Sequence, residues 1–239
     1  MRALDETSPS IVVIGNFDGV HSGHRSVLEA LGRIASERAL VPVLLTFDPH
    51  PAITLGRTAP SLLTRLARKQ ELVRRFCPGI QLAVREFTHA FSQQTAAEFA
   101  DCVLVGELGA KAVMVGANFR FGRGRSGGIE ELSALGGERG FEVLAEVLVK
   151  DEHGALSSTR VRELLTEGAV ERAGQLLGRP HMVSGGVGHG QKRGRTIGFA
   201  TCNFPEVNEL LPANGVYAVL VDRVQNGVAC ALAKGVANL

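Results

Sequence analysis

Apolar residues in this chain fall into two alternating rhythms. Ile11-Val12-Val13-Ile14 is a continuous apolar run, as expected of a short strand buried on both faces. Val27, Leu28, Leu31 and Ile34 come next at helical spacing. The alternation repeats: VPVLLTF over 41–47 predicts a second strand, Thr64 to Phe76 a helix, and Gln81 to Val84 a strand. Thr95 with Glu98 three residues on is a capping box that opens the next helix. A strand over 112–115, a helix from about Ile129 and a strand around 141–148 continue the series. Repeated βα units with short, uniformly apolar strands predict an α/β fold. Its parallel sheet is covered on both faces, and ligands bind at the carboxyl ends of its strands.

The rhythm breaks near Gly178-Arg179-Pro180. A helix over 170–177 ends there, and the chain beyond it reads as strand and turn: Gly185-Gly186-Val187-Gly188, then the apolar run Val216 to Val221 after Gly215. The expected division is a first domain over 1–180 and a second, β-rich domain over 181–239.

Composition narrows the function class. With 239 residues and 45% hydrophobic content the chain can bury a sizeable core. A net charge of +2 argues against a general nucleic-acid or membrane-surface binder. Cys77, Cys102, Cys202 and Cys230 have neither CxxC spacing nor the pattern of a short secreted framework. No signal peptide opens the chain, and no apolar run reaches the roughly eighteen residues of a membrane helix. The expectation is a cytoplasmic protein without disulfides or a zinc site, acting on small molecules rather than on nucleic acid or membrane.

The candidate chemistry begins at GNFDGVHSGH, Gly15 to His24, between the first strand and the first helix. The first amides of a helix lack intrahelical partners, and its dipole favours anions there, so this junction reads as a phosphate site. His21 and His24, three apart on the first turn, add donors or charge beside the same phosphate, and Gly15, Gly19 and Gly23 leave room for it near the backbone. The plain alternative is a capped helix with surface histidines. Further on, Asp48 and His50 in TFDPHP read by themselves as a proline-braced turn that satisfies local backbone groups. In VGANFRFG, Phe119 and Phe121 offer faces to a planar ring, Asn118 a hydrogen bond to a heterocycle edge, and Arg120, Arg123 and Arg125 charge for phosphate. Ser157-Ser158-Thr159-Arg160-Val161-Arg162 opens another helix, with hydroxyls that cap it and arginines suited to phosphate.

GNFDGVHSGH resembles the HxGH signature of the nucleotidylyl transferases in the form found in prokaryotic FAD synthetases, and TFDPHP, NFRFG and SSTRVR resemble that family's further motifs. The resemblance implies a Rossmann-like HxGH nucleotidylyltransferase domain that transfers AMP from ATP to FMN. It implies His21, His24 and Arg160 as catalytic residues, and Gly15, Phe17, Asp18, Gly23, Ser158, Thr159 and Arg162 at ATP and its phosphates. Asn118, Phe119, Arg120 and Phe121 are implied at the flavin, TFDPHP at the nucleotide end of the cleft, and Mg2+ as the ion that comes with ATP.

The second domain resembles the riboflavin kinase module of bifunctional FAD synthetases, a Greek-key β-barrel, through GGVGHGQKRGRTIGFATCNF, GVYAVLV and KGVANL. The resemblance implies Thr201 and Asn203 as ligands of magnesium and ATP, in a motif where Ala200 and Cys202 replace the family's proline and alanine. The family's catalytic glutamate lies beyond KGVANL, so a partial barrel is expected, with FMN adenylylation but without useful phosphorylation of riboflavin. Two other readings are a non-catalytic flavin- or nucleotide-binding remnant and an HxGH transferase with another acceptor. The joint occurrence of the four motifs disfavours the second.

Overall fold

The computed structural model describes residues 8–146, 150–152, 154–188, 201–225 and 228–239. The glycine-rich, basic stretch holding Lys192, Arg193 and Arg195 lies outside them. The chain forms two compact units, divided between Ser157 and Ser158.

In the first unit, β1 (Ser10–Ile14) leads into α1 (Ser22–Glu37), and β2 (Val41–Phe47) into the short α2 (Pro51–Thr54) and then α3 (Leu66–Phe76). β3 (Gln81–Arg85) is followed by α4 (His89–Ser92) and α5 (Ala96–Glu98). The capping box forms as expected: the Thr95 hydroxyl accepts from the Glu98 amide, while the Glu98 carboxylate accepts from the Thr95 amide at 2.8 Å. α5 then widens into π-helical turns over Phe99–Glu107, which spacing alone did not predict. β4 (Ala110–Gly116), α6 (Ile129–Arg139) and β5 (Glu142–Glu146) complete the series, and the tiny β6 (Lys150–Asp151) and β7 (Gly154–Ala155) form a hairpin.

The five strands β1 to β5 pair in parallel in the order β3-β2-β1-β4-β5. Alternate residues of one strand feed opposite layers. Ile11 and Val13 pack with Leu28, Leu31, Leu72 and Val73 on the α1/α3 face. Val12 and Ile14 pack with Phe99, Val103, Leu104 and Leu132 on the other. Both faces being covered, IVVI needs no polar position. The strand order reverses between β1 and β4, and in open α/β sheets ligands bind at the carboxyl ends of the strands where the order reverses.

The second unit begins with α7 (Ser158–Thr166) and α8 (Val170–Leu177), which group by contacts with the C-terminal residues rather than with the sheet. The expected division at 180 marks the change of sequence pattern, and the compact units part twenty-odd residues earlier. β8 (Val216–Gln225) and β9 (Val228–Asn238) pair antiparallel, and Gly188 and Asn203 form a single bridge. Tyr217 donates its hydroxyl proton to the carbonyl of Ala213 at 2.6 Å, whose own amide donates to the Leu165 carbonyl at 3.0 Å. The described residues of this unit thus hold a two-stranded sheet and not a closed barrel. No helix among them is long and apolar enough to cross a membrane.

Candidate active site

The junction of β1 and α1 is strained where it turns. Phe17 and Val20 both have left-handed backbone, φ 47° and φ 40°, a region that costs a β-branched residue most. Burial holds them there, since Val20 is fully enclosed and Phe17 nearly so. Of the three glycines, Gly19 takes φ 82°. A Cβ on Gly15 would meet the Phe17 ring at 3.1 Å, and one on Gly23 the His21 ring at 3.1 Å. The missing side chains of Gly15 and Gly23 therefore make room for the loop's own rings, which is a different reason from the close approach of a phosphate.

Those rings form a stack. His21 and His24 lie face to face with centroids 3.7 Å apart, and Phe17 stacks on the far side of His24 at 4.6 Å. His21 is the N-cap of α1, and its Nδ1 accepts from the backbone N–H of His24 at 3.3 Å. Nδ1 therefore carries a lone pair, and the proton of the neutral ring is on Nε2. His24 has a buried Nδ1 without a hydrogen-bond partner among the described residues. Its pKa is held well below 6.5, first by burial, then by His21 and by Lys69. The neutral His24 thus keeps an unspent polar atom at a helix N-terminus beside other basic groups.

Lys69 is the participant that sequence reasoning missed. It lies on the buried face of α3 with Leu72 and Val73 and is only 7% exposed. Burial lowers its pKa, while Asp18 and Asp48 act to raise it. A signal was present, because lysine occupies a position that the helical period reserves for an apolar residue. Asp18 is itself buried, and its carboxylate accepts from the backbone amides of Leu63 and Thr64 at 3.0–3.2 Å. That carboxylate pins the approach to α3 against the first loop.

The TFDPHP turn leaves β2 beside this loop. His50 caps α2, and its Nε2 lies 2.9 Å from the side-chain amide of Asn16. From Phe47 an aromatic series runs through Phe87, Phe91, Phe99 and Phe121 to Phe119, with successive centroids 5.4–6.1 Å apart. Phe121 is a core residue, 7% exposed, and stacks on the half-buried Phe119 at 5.5 Å. Of the two phenylalanines expected to face a planar ring, Phe121 is thus spent chiefly on supporting the other. Asn118 and Arg120 are exposed on the loop, which is closed by paired backbone bonds between Phe121 and Gly127 at 3.0 and 3.1 Å.

In the second unit, α7 begins at Ser158, within the stretch from Ser157 to Arg162 expected to open a helix, and Val161, Leu164 and Leu165 form its buried face. Ser158, Arg160 and Arg162 are partly buried at or near its first turn, and Thr159 is exposed. Thr201 and Asn203 are exposed, and the Asn203 carbonyl accepts from the Gly188 amide at 2.8 Å. A hydroxyl and an amide oxygen are neutral ligands, too few and too weak to cage a magnesium ion by themselves. Among the described residues no group of three or more His, Cys, Asp or Glu side chains is arranged to hold a metal.

A family model described as FAD synthetase matches residues 4–160, and one described as riboflavin kinase matches residues 177–239. Bifunctional riboflavin kinase/FMN adenylyltransferase from Escherichia coli K12 is 39% identical over 212 residues, 88% of this chain and 67% of that protein. Its counterpart in Buchnera aphidicola is 37% identical over 90% of this chain and 69% of its own length. The Bacillus subtilis counterpart is 35% identical over 94% of this chain and 72% of its own. A crystal structure described as a macrolide-efflux protein from Streptococcus pneumoniae superposes with a TM-score of 0.79 at 31% identity. It covers 94% of this chain and 78% of that one.

Proposed function

The chain belongs to the FAD synthetase family, and from that premise we propose that it transfers AMP from ATP to FMN through the histidine stack at the head of α1. A phosphate oxygen of FMN attacks the α-phosphorus of ATP, the bond from that phosphorus to the bridging oxygen breaks, and pyrophosphate leaves. The attacking phosphate monoester has a second pKa of about 6 and is largely ionised at neutral pH. No general base is required. What the reaction needs is alignment of two mutually repelling anions and stabilisation of charge growing on the α-phosphate and the leaving group.

The observation that carries this reading is the buried, unpartnered Nδ1 of His24 in a stack of rings at a helix N-terminus, next to a buried lysine. In the second unit, the family resemblance implies Arg160 in catalysis and Ser158, Thr159 and Arg162 at ATP; in the first unit, His21 and His24 are assigned to the reacting phosphates. Lys69 joins them as a further cation. Gly15, Phe17, Asp18 and Gly23 shape the loop that holds ATP and its phosphates. Phe119, supported by Phe121, and the exposed Asn118 and Arg120 are assigned to the flavin. Magnesium carried by ATP would shield phosphate charge. Thr201 and Asn203 of the riboflavin kinase-like segment are assigned to the nucleotide of the kinase module.

Chromatography of products formed from ATP, Mg2+ and FMN tests the function. FAD and pyrophosphate are expected in equal amounts; a protein that binds FMN but never consumes ATP would leave the binding-remnant reading in its place. Riboflavin in place of FMN reports separately on the kinase module.

A further inference from the structure

Asn16 stands between Gly15 and Phe17 at the end of β1, and its side chain reaches the turn after β2. Two nitrogens face each other there, Nδ2 of Asn16 and Nε2 of His50, 2.9 Å apart. The protons of this pair are determined by a third group. His50 Nδ1 accepts from the backbone N–H of Ala52 at 3.1 Å, where the ring caps α2. A backbone N–H can only donate, so Nδ1 holds a lone pair and the ring proton sits on Nε2. Nε2–H must then find an acceptor, which an amide NH2 cannot be. The amide of Asn16 is nearly symmetric in shape, and a half-turn about its last torsion places Oδ1 against His50.

In that orientation the NH2 group of Asn16 is directed away from His50. The side chain of Asn16 has no other hydrogen-bond partner among the described residues. Its backbone is fixed on both sides, since the Gly15 amide donates to the Leu45 carbonyl at 3.1 Å and the Thr46 hydroxyl to the Asn16 carbonyl at 3.4 Å. The next residue, Phe17, carries the ring stacked on His24. A group with two donors and no acceptor, held at the carboxyl end of β1 one residue from the ring stacked on His24, suits a ligand that only accepts.

We propose that Asn16 donates its NH2 to a phosphoryl oxygen of a bound substrate, and that His50 is a positioning residue that fixes this direction by donating Nε2–H to Oδ1. The inference rests on the adenylyl-transfer reading and adds to it a neutral donor whose bonding does not depend on pH. The phosphate belongs to FMN or to ATP, and the kinetics distinguish them.

The experiment compares kcat and KM for FMN and for ATP in wild type, N16A, N16D, H50N and N16A/H50N. Asparagine at position 50 preserves a good N-cap for α2 while removing the Nε2 donor. N16A is expected to lose about 10–100-fold in kcat/KM, the worth of one hydrogen bond to a charged group. The substrate whose KM rises owns the phosphate. N16D is expected to lose at least as much, because its carboxylate cannot donate and repels phosphate. H50N should move the same parameter, and the double variant should be no worse than N16A. Near-wild-type values for N16A and N16D, or losses that multiply in the double variant, overturn the inference. Long-range 15N–1H correlation spectra give an answer independent of turnover. The histidine signal that vanishes in H50N should show the Nε2–H tautomer, and the Nδ1–H tautomer would refute the pairing. A wild type that forms no FAD overturns adenylyl transfer and with it the phosphate role of Asn16; an active wild type with indifferent Asn16 variants overturns this inference alone.

Discussion

At the scale of single residues, His24 carries the clearest consequence. Burial, the facing His21 ring and Lys69 all disfavour its charged form, so its folded pKa lies below the unfolded value of 6.5. Below that pH the unfolded chain binds a proton here that the folded chain does not, and linkage makes folding stability fall with pH from about 6.5 down to the folded pKa. Above it, this residue contributes no pH dependence. Urea unfolding of wild type and His24→Ala at a series of pH values should show a shallower decline between pH 6.5 and 5 in the variant. The same variant should keep its fold and lose about 10²–10³ in FAD formation, by analogy with the removal of other preorganised donors. Rapid turnover by folded His24→Ala would refute the role given to the stack. The histidine pair was legible from GNFDGVHSGH alone. The lowered pKa of His24 was not, because burial and the nearby Lys69 of α3 depend on the packing around the first loop.

At the scale of elements, local rules account for the starts of helices better than for their interiors. Thr95 and Glu98 were readable as a capping box because both partners lie within one turn, and the box is exposed and far from the histidines in the chain. Thr95→Ala should cost about 0.5–2 kcal/mol, seen as a lower urea midpoint, with kcat for FMN adenylylation unchanged. The π-helical turns over Phe99–Glu107 had no such signal: Phe99, Ala100, Val103 and Leu104 are buried against the sheet, and packing selects that wider path. Asp18 shows the same division. Its place in the motif was plain, but its use as acceptor for Leu63 and Thr64, 45 and 46 residues away, belongs to tertiary structure.

At the scale of the molecule, the two units are stabilised differently. β1, β2 and β4 are interior strands of the five-stranded sheet and bury both faces. β8 and β9 pair only with each other among the described residues, and Val216, Leu220 and Val236 are more than 70% exposed. Protection of backbone amides tracks burial and cooperative packing. Hydrogen exchange read by mass spectrometry should therefore leave peptides over 10–14, 41–47 and 110–116 protected longest, and peptides over 216–225 and 228–238 should exchange much sooner. Equal protection of the hairpin and the central strands would contradict this picture.

What the sequence determined by itself was the succession of elements, the α/β class and the positions of the motifs, since apolar period, caps and turn residues act over a few neighbours. β2 came out with the bounds its pattern predicted, and α7 began at Ser158. Only the tertiary structure decided the strand order β3-β2-β1-β4-β5, the burial of Lys69 on α3, the core burial of Phe121, and the contact between Asn16 and His50. Each of these depends on segments distant in the chain meeting at short range. Burial, proton placement and steric room are properties of that meeting and not of any one stretch of residues.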